Sequence, residues 1–367
     1  MNTRISTKQL RYCAAGFILA SSLLTSNLYY FARNDSWISV LIGFVISLGI
    51  IGLYAALAKR YPGLDLAEIS EAVFGKVPGR LLTASYGFYF LSLTYFNTRD
   101  FGDFIKGMLL PSTPSMVVFI ILIMTCAWAI RKGPVKMTRY GLLLTVIAIT
   151  ALLINAALLI NKMEPKNFLP LLTLPPANYL IGAHIVTMLP LSEIMAFMMF
   201  IPYMAKPDEI GRAMRGGLII GAATLLFIVL RDTLVLGRFN AIFSQPTFST
   251  TRLIDMGDIL TRLEIVYAVI LMGQLFLKLN IVYFATAACV RALFGTSSYC
   301  LFTGIIGVLI VLYASASFPA MYEHVLWNLT AAATYSSFFL LFLPVLTLVV
   351  SIIRGGKTKH LTKPGEC

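Results

Sequence analysis

Apolar residues in this 367-residue chain gather in long blocks separated by short polar segments, with no strict alternation along the chain. Blocks of about 20 apolar residues predict helices that cross a bilayer, because that length spans its hydrocarbon core. Ten such spans are expected, at about 10–32, 37–58, 81–107, 115–131, 139–160, 179–201, 213–235, 258–291, 299–318 and 331–353. No long polar segment divides them. Residues 1–367 therefore read as one all-α polytopic membrane domain, ending in a basic tail at 354–367.

Two of the blocks are interrupted. The stretch GAHIVTMLPLSEIMAFMMFIPYM at 182–204 carries Pro190 in its middle and Glu193 three residues on. Proline within a helix removes a backbone hydrogen bond and clashes with the carbonyl four residues back. A carboxylate at membrane depth is costly and is seldom left facing lipid. The plain alternative is a kinked packing helix whose Glu193 pairs with a neighbour. The first block carries a polar patch, Ser21-Ser22-Leu23-Leu24-Thr25-Ser26-Asn27, whose hydroxyls and amide can satisfy freed backbone groups or join helices. Ten spans divide into five and five, about 8–160 and 179–318 with a further helix to 353. The second set enters the membrane in the opposite sense, and the expected ligand site lies where the first helix of each half is broken.

Composition agrees. Hydrophobic residues make up 58% and charged residues 12%, against about 25% charged in a soluble chain. The net charge of +13 does not point to nucleic acid, because the basic residues sit in short loops between apolar runs. With the N-terminus inside, nineteen Lys and Arg fall in inner segments and five in outer loops, so both termini are expected to be cytoplasmic. The larger outer loops are about 161–178 and 236–257, and the first, with NFLPLLTLPP, has the stiffness of either a cap or a spacer.

The remaining candidates are charges at membrane depth. Arg99 and Asp103 are four apart and Asp103 and Lys106 three apart, spacings that allow pairing on one helix face, as an interfacial cluster or a gate. Gln274 and Lys278 are four apart within an apolar run, where a lysine costs about 2.5–3.5 kcal/mol to insert. Lys278 is expected to neutralise Glu193, hold a ligand carboxylate, or stand where related transporters hold sodium. Arg231, Asp232, Asp258, Arg262 and Glu264 read as interfacial pairs. The three histidines and five cysteines lack metal-ligand spacing, and no nucleophile motif or phosphate-binding glycine loop occurs. No enzyme activity, metal or cofactor is expected.

The stretches FNTRDFGDFIKGMLLPSTP (96–114), NFLPLLTLPPANYLIGAHIVTMLP (167–190) and SEIMAFMMFIPYM (192–204) resemble the endospore germination permease family, the B subunits of spore nutrient germinant receptors. ISVLIGFVISL (38–48) and YPGLDLAEI (61–69) fit the same family. The resemblance implies membership of the amino acid–polyamine–organocation superfamily, with the LeuT-like 5+5 inverted-repeat fold and interrupted helices 1 and 6. It further implies a sensor in the spore inner membrane that binds a small nutrient such as an amino acid and signals to A- and C-type subunits. Carried over by position, the pocket comprises Ser21, Ser22, Leu23, Thr25 and Ser26, with Thr187, Met188 and Leu189 before Pro190. Tyr95, Thr98, Gln274 and Lys278 complete it, with Glu193 beside the break. Serines stand where relatives commonly carry glycines in the first break, which narrows the space and adds hydroxyls. The competing expectations are an active amino acid/proton symporter using Glu193 and a scaffold that binds no ligand.

Overall fold

The computed structural model describes residues 4–243, 245–254 and 263–355. Asp258, Arg262 and most of the basic tail lie outside the described residues. So does the side chain of Leu23.

Each of the ten expected spans has a helical counterpart. The first is compound: an α-helix over Thr7–Leu19, a 3₁₀ segment over Ala20–Leu24, and a second α-helix over Thr25–Ala32. Its start is fixed by a capping box in which Ser6 and Gln9 each satisfy the other's backbone N–H. Spans two to five follow at Ser36–Arg60, Lys76–Phe104, Ser115–Ile130 and Pro134–Leu158. The sixth runs from Pro176 to Tyr203, then come Ile210–Leu236, Leu263–Phe294, Thr303–Ala316 and, over 332–353, the tenth. Among the described residues, six helical stretches are long and apolar enough by themselves to cross a membrane. The others fall short for local reasons. The first is split by its 3₁₀ segment, the fourth has 16 residues, the third carries polar and charged groups in its C-terminal half, and the ninth has 14 residues and turns by 97° into the helix Met321–Thr330.

The sixth span is the most enclosed, with 94% of its apolar window buried inside the protein. Spans four and nine instead expose Ile121, Met124, Ile305 and Val308, the apolar surface a helix facing lipid requires. Close packing rests on small residues. A Cβ at Gly217 of the seventh span would lie 2.5 Å from the Ala14 Cβ of the first, so these backbones meet at a distance only glycine permits.

Backbone pairing ties one end of the bundle. Ile5 donates its N–H to the Tyr203 carbonyl (2.9 Å), and Ala205 donates to the Ile5 carbonyl (2.9 Å), tying the start of the first span to the end of the sixth. A short helix, Leu66–Phe74, lies between spans two and three and is capped by Asp65 and Glu68. Asp65 also receives Arg291, at the end of the eighth span, at 3.1 Å.

Candidate ligand-binding site

Pro190 shapes the sixth span. It has no N–H to offer the Val186 carbonyl, and the chain widens into a π turn over Thr187–Leu191, closed by Ser192 N–H to the Thr187 carbonyl at 2.9 Å. The helix then tightens to 3₁₀ over Glu193–Tyr203. Side chains tie the break to the second span. The Thr187 hydroxyl donates to the Ala183 carbonyl (2.7 Å) and lies 3.3 Å from the Gly43 carbonyl of the second span, while the Tyr54 hydroxyl sits 3.5 Å from the Ser192 carbonyl. The first span breaks at the same depth, where the Thr25 hydroxyl donates to the Ser22 carbonyl (2.9 Å).

The breaks converge on one charge pair. Lys278 Nζ lies 2.7 Å from Glu193 Oε2 and donates to Ser21 Oγ at 2.6 Å, with the Phe17 ring 5.0 Å away. Lys278 and Glu193 are 1% and 2% exposed. Of the three expectations for Lys278, neutralising Glu193 is the one this geometry displays. A cavity of only about 20 Å³ adjoins the pair, lined by Leu93, Phe96, Asn97, Asp100, Leu189, Trp327, Asn328, Ala332, Tyr335 and Ser336. That is room for about one water. Asp100 and Asn328 also line a vestibule of about 200 Å³ nearer the outer surface, which includes Ser26, Asn27, Asp103, Gln245 and His324. Asp100 and Asn328 thus stand between the vestibule and the cavity at the pair.

The expected residues do not share one place. Ser21, Leu189, Glu193 and Lys278 meet at the pair, and Ser26 lines the vestibule. Ser22 and Gln274 line a different cavity of about 20 Å³ with Tyr267, on the side of the seventh and fifth spans. Gln274 thus does not join Lys278, and both its amide atoms are buried without a partner among the described residues. Thr187, Met188 and Pro190 are buried in the break itself. Tyr95 turns away, stacking on Tyr313 of the ninth span at 5.5 Å, and Thr98 spends its hydroxyl on the Thr94 carbonyl (2.7 Å).

The third span presents Leu93, Phe96, Asn97 and Asp100 instead. Their i, i+3, i+4, i+7 spacing is one helix face, and two polar residues on it were the available signal. Asn328, Tyr335 and Ser336 carried no such signal, because only folding brings the chain's end to the site.

Arg99 pairs with Asp103 at 3.0 Å and also donates to the Phe318 carbonyl at 2.9 Å. Lys106 does not join them. The helix opens into a π turn at Ile105–Leu109, which rotates Lys106 off that face and leaves it exposed. His324 approaches the same cluster, 3.4 Å from Asp103 and 3.7 Å from Asp100. Arg231 and Asp232, expected at the interface, are fully buried. Asp232 accepts from Arg231 (2.6 Å) and Thr247 (2.6 Å), and Arg231 donates to Asn155 (2.8 Å), joining spans five and seven to the outer helix Pro246–Thr251. Among the described residues, no group of three or more His, Cys, Asp or Glu is placed to hold a metal ion.

Comparison with known proteins follows these features. Residues 4–319 match the family described as "Spore germination protein". The chain is 27% identical to spore germination protein KB of Bacillus subtilis (strain 168), over 79% of each chain. It is 25% identical to spore germination protein YndE of the same organism, over 95% of this chain and 96% of that one. Among solved structures it resembles Mhp1, a nucleobase-cation-symport-1 transporter in a closed conformation, with a TM-score of 0.70 at 11% identity over 98% of this chain and 82% of that one. It also resembles MhsT in complex with L-phenylalanine, with a TM-score of 0.55 at 16% identity over 92% and 97%. At such identities the likeness establishes the transporter fold alone.

Proposed function

The chain belongs to the spore germination permease family, and from that premise we propose that it is the nutrient-sensing membrane subunit of a germinant receptor. It sits in the spore inner membrane with both termini cytoplasmic. It binds a small nutrient, an amino acid by preference, and passes the signal to A- and C-type subunits. The observation that carries this reading is the buried Glu193–Lys278–Ser21 cluster at the meeting point of two interrupted helices. The ligand descends the vestibule past Asp100 and Asn328. Its ammonium goes to Glu193 and Asp100, and its carboxylate to Lys278 and the backbone at the breaks. Ser21 and Leu189 shape the pocket, Ser26 lines its vestibule, Thr25 holds the first break through the Ser22 carbonyl, and the Arg99–Asp103 pair braces the rim. Ligand must separate Lys278 from Glu193 to enter, so binding and conformational change are one event. Only a difference in affinity between the two states shifts their populations.

A second reading, an active amino acid/proton symporter, is favoured by one feature, a carboxylate at the centre of a transporter fold. One experiment separates the two. The full chain in proteoliposomes is offered labelled amino acids with and without a pH gradient, and bound and accumulated label are scored separately. Saturable binding without accumulation supports the sensor. Accumulation that depends on the gradient and fails in Glu193→Gln makes the protein a symporter. Wild-type germination signalling after Ser21 is enlarged to Leu would leave a scaffold that needs no ligand.

A further inference from the structure

A second cavity, apart from the Glu193–Lys278 site, lies at the outer ends of the first and seventh spans. Its volume is about 480 Å³, within the range of about 300–1,000 Å³ typical of small-molecule sites. Its walls are the turn Arg33–Asp35 and the segment Gly237–Ala241, with Tyr29 and the proline-rich outer loop completing it. That loop is fastened in place. Asn34 Nδ2 donates to the Leu169 carbonyl (3.4 Å), the Leu172 N–H to Asp35 Oδ2 (2.8 Å), and Asn167 Nδ2 to the Leu234 carbonyl (2.8 Å). The loop is therefore a built roof and not a free spacer.

The polar groups inside are unspent. Asn240 is 2% exposed, and neither its amide oxygen nor its nitrogen has a partner among the described residues. Buried polar groups are almost always hydrogen-bonded, so such an exception calls for a ligand or water. Asp35 is also 2% exposed. Its Oδ2 accepts from Leu172 N–H and from the Tyr179 hydroxyl (3.0 Å), while its Oδ1 has no partner. Arg33 and Arg238, on opposite walls, are exposed and make no ion pair among the described residues.

We infer that this cavity is a second ligand site, for a small zwitterion bearing a carboxylate and an ammonium. Guanidinium groups are donors only and match a carboxylate in a bidentate fork. Asn240 Nδ2 adds a donor to that end. Asp35 Oδ1 and Asn240 Oδ1 are acceptors suited to an ammonium. A simple anion would leave both acceptors unpartnered, and a simple cation would leave both arginines and the amide nitrogen unused. Tyr29, which forms part of the wall, belongs to the outer half of the broken first span, and its hydroxyl donates to the Val229 carbonyl at 3.3 Å. Occupancy here therefore bears on the helix whose inner break holds Ser21.

The test reads the site locally. The full chain in nanodiscs is treated with phenylglyoxal, which modifies arginine, in the presence of each standard protein amino acid in turn. Acetate and methylammonium serve as single-charge controls. Modification of Arg33 and Arg238 is followed by peptide mass spectrometry, with Arg212, on the inner side, as internal reference. At a ligand concentration about ten times its dissociation constant, at least one amino acid slows modification of both arginines about tenfold. Acetate and methylammonium do not. Protection survives the double change Glu193→Gln/Lys278→Met, which removes both central charges together, and is lost in Asn240→Leu. Should Asn240→Leu not fold, Arg238→Gln is a surface change whose effect is read at Arg33. Protection by acetate equal to that by amino acids would overturn the zwitterion assignment. Protection by no amino acid, or protection lost in folded Glu193→Gln/Lys278→Met protein, would overturn the site.

Discussion

The Glu193–Lys278 pair makes the sharpest test of how the centre of this protein is held. At 2.7 Å and an effective dielectric constant of about 20, the two charges attract by roughly 6 kcal/mol. Against this stands the cost of removing both from water, several kcal/mol for each ion. The net worth of the pair is therefore small, while the worth of each partner to the other is large. Lys278→Met leaves a buried carboxylate, and Glu193→Gln leaves a buried ammonium whose remaining polar neighbour is Ser21 at 2.6 Å. Each single change is expected to cost about 3–5 kcal/mol. The double change Glu193→Gln/Lys278→Met removes both charges, leaves similar volumes, and should recover most of that loss. With single losses summing to about 6–10 kcal/mol and a double loss of about 1–2 kcal/mol, the expected coupling is about 5–8 kcal/mol, measured as a double-mutant cycle of unfolding in mixed micelles. If the two single losses simply added, to within about 0.5 kcal/mol, the charges would not be acting as a pair and the central argument would fail.

Three further outcomes are expected. Burial, with Asp65 and Glu71 beside it, pushes the Glu68 carboxyl up to about 7 from its ordinary 4.5, although Arg291 pulls the other way. The folded protein then holds this proton more tightly than the unfolded chain, so the contribution to stability is full below about 4.5 and is lost as pH rises through about 7. Glu68→Gln, which keeps an acceptor for the Asp65 N–H, should flatten stability against pH in that window, and an unchanged slope would count against the assignment. A Cβ at Gly43 would lie 2.3 Å from Val186 Cγ1 and 3.1 Å from the Ala183 carbonyl, so Gly43→Ala should destabilise by about 1–3 kcal/mol, checked by the same unfolding assay. Asp100→Asn should speed dissociation of an ammonium-bearing ligand and weaken its salt dependence, as read by rapid mixing with labelled ligand, and an unchanged dissociation rate would count against Asp100 as a contact.

The spans and the two breaks were legible in the sequence because each rests on a local rule with a large energy behind it, whereas the Lys278–Glu193 contact was one of three readings the sequence left open. An apolar block must cross lipid, and Pro190 must disturb its helix. What stayed hidden depended on rotation about helix axes. Gln274 and Lys278 are one turn apart, yet they open onto different cavities, because the first span lies between the two. A Cβ at Gly16 of that span would come 2.8 Å from Gln274 Oε1, while Ser21 meets Lys278 further along. Tyr95 and Asn97 are separated by about 200° around a helix of 3.6 residues per turn, so choosing one excludes the other. Lys106 left its expected face through a π turn that no residue pattern announces.

The closed centre also constrains how a ligand can act. Moving a two-state equilibrium from 1:99 to 99:1 takes a difference in affinity of about 10⁴-fold, or about 5.5 kcal/mol. A small ligand gains at most about 1.5 kcal/mol per non-hydrogen atom. An amino acid therefore cannot afford to leave the separated charges Glu193 and Lys278 unsatisfied. Its ammonium must replace Lys278 at Glu193, and its carboxylate must replace Glu193 at Lys278, so that no buried charge is stranded at any stage. A zwitterion meets that requirement and a neutral nutrient of the same size does not. Sugars and nucleosides are accordingly expected to fail at this pocket in the labelled-ligand binding assay even where they fit by volume.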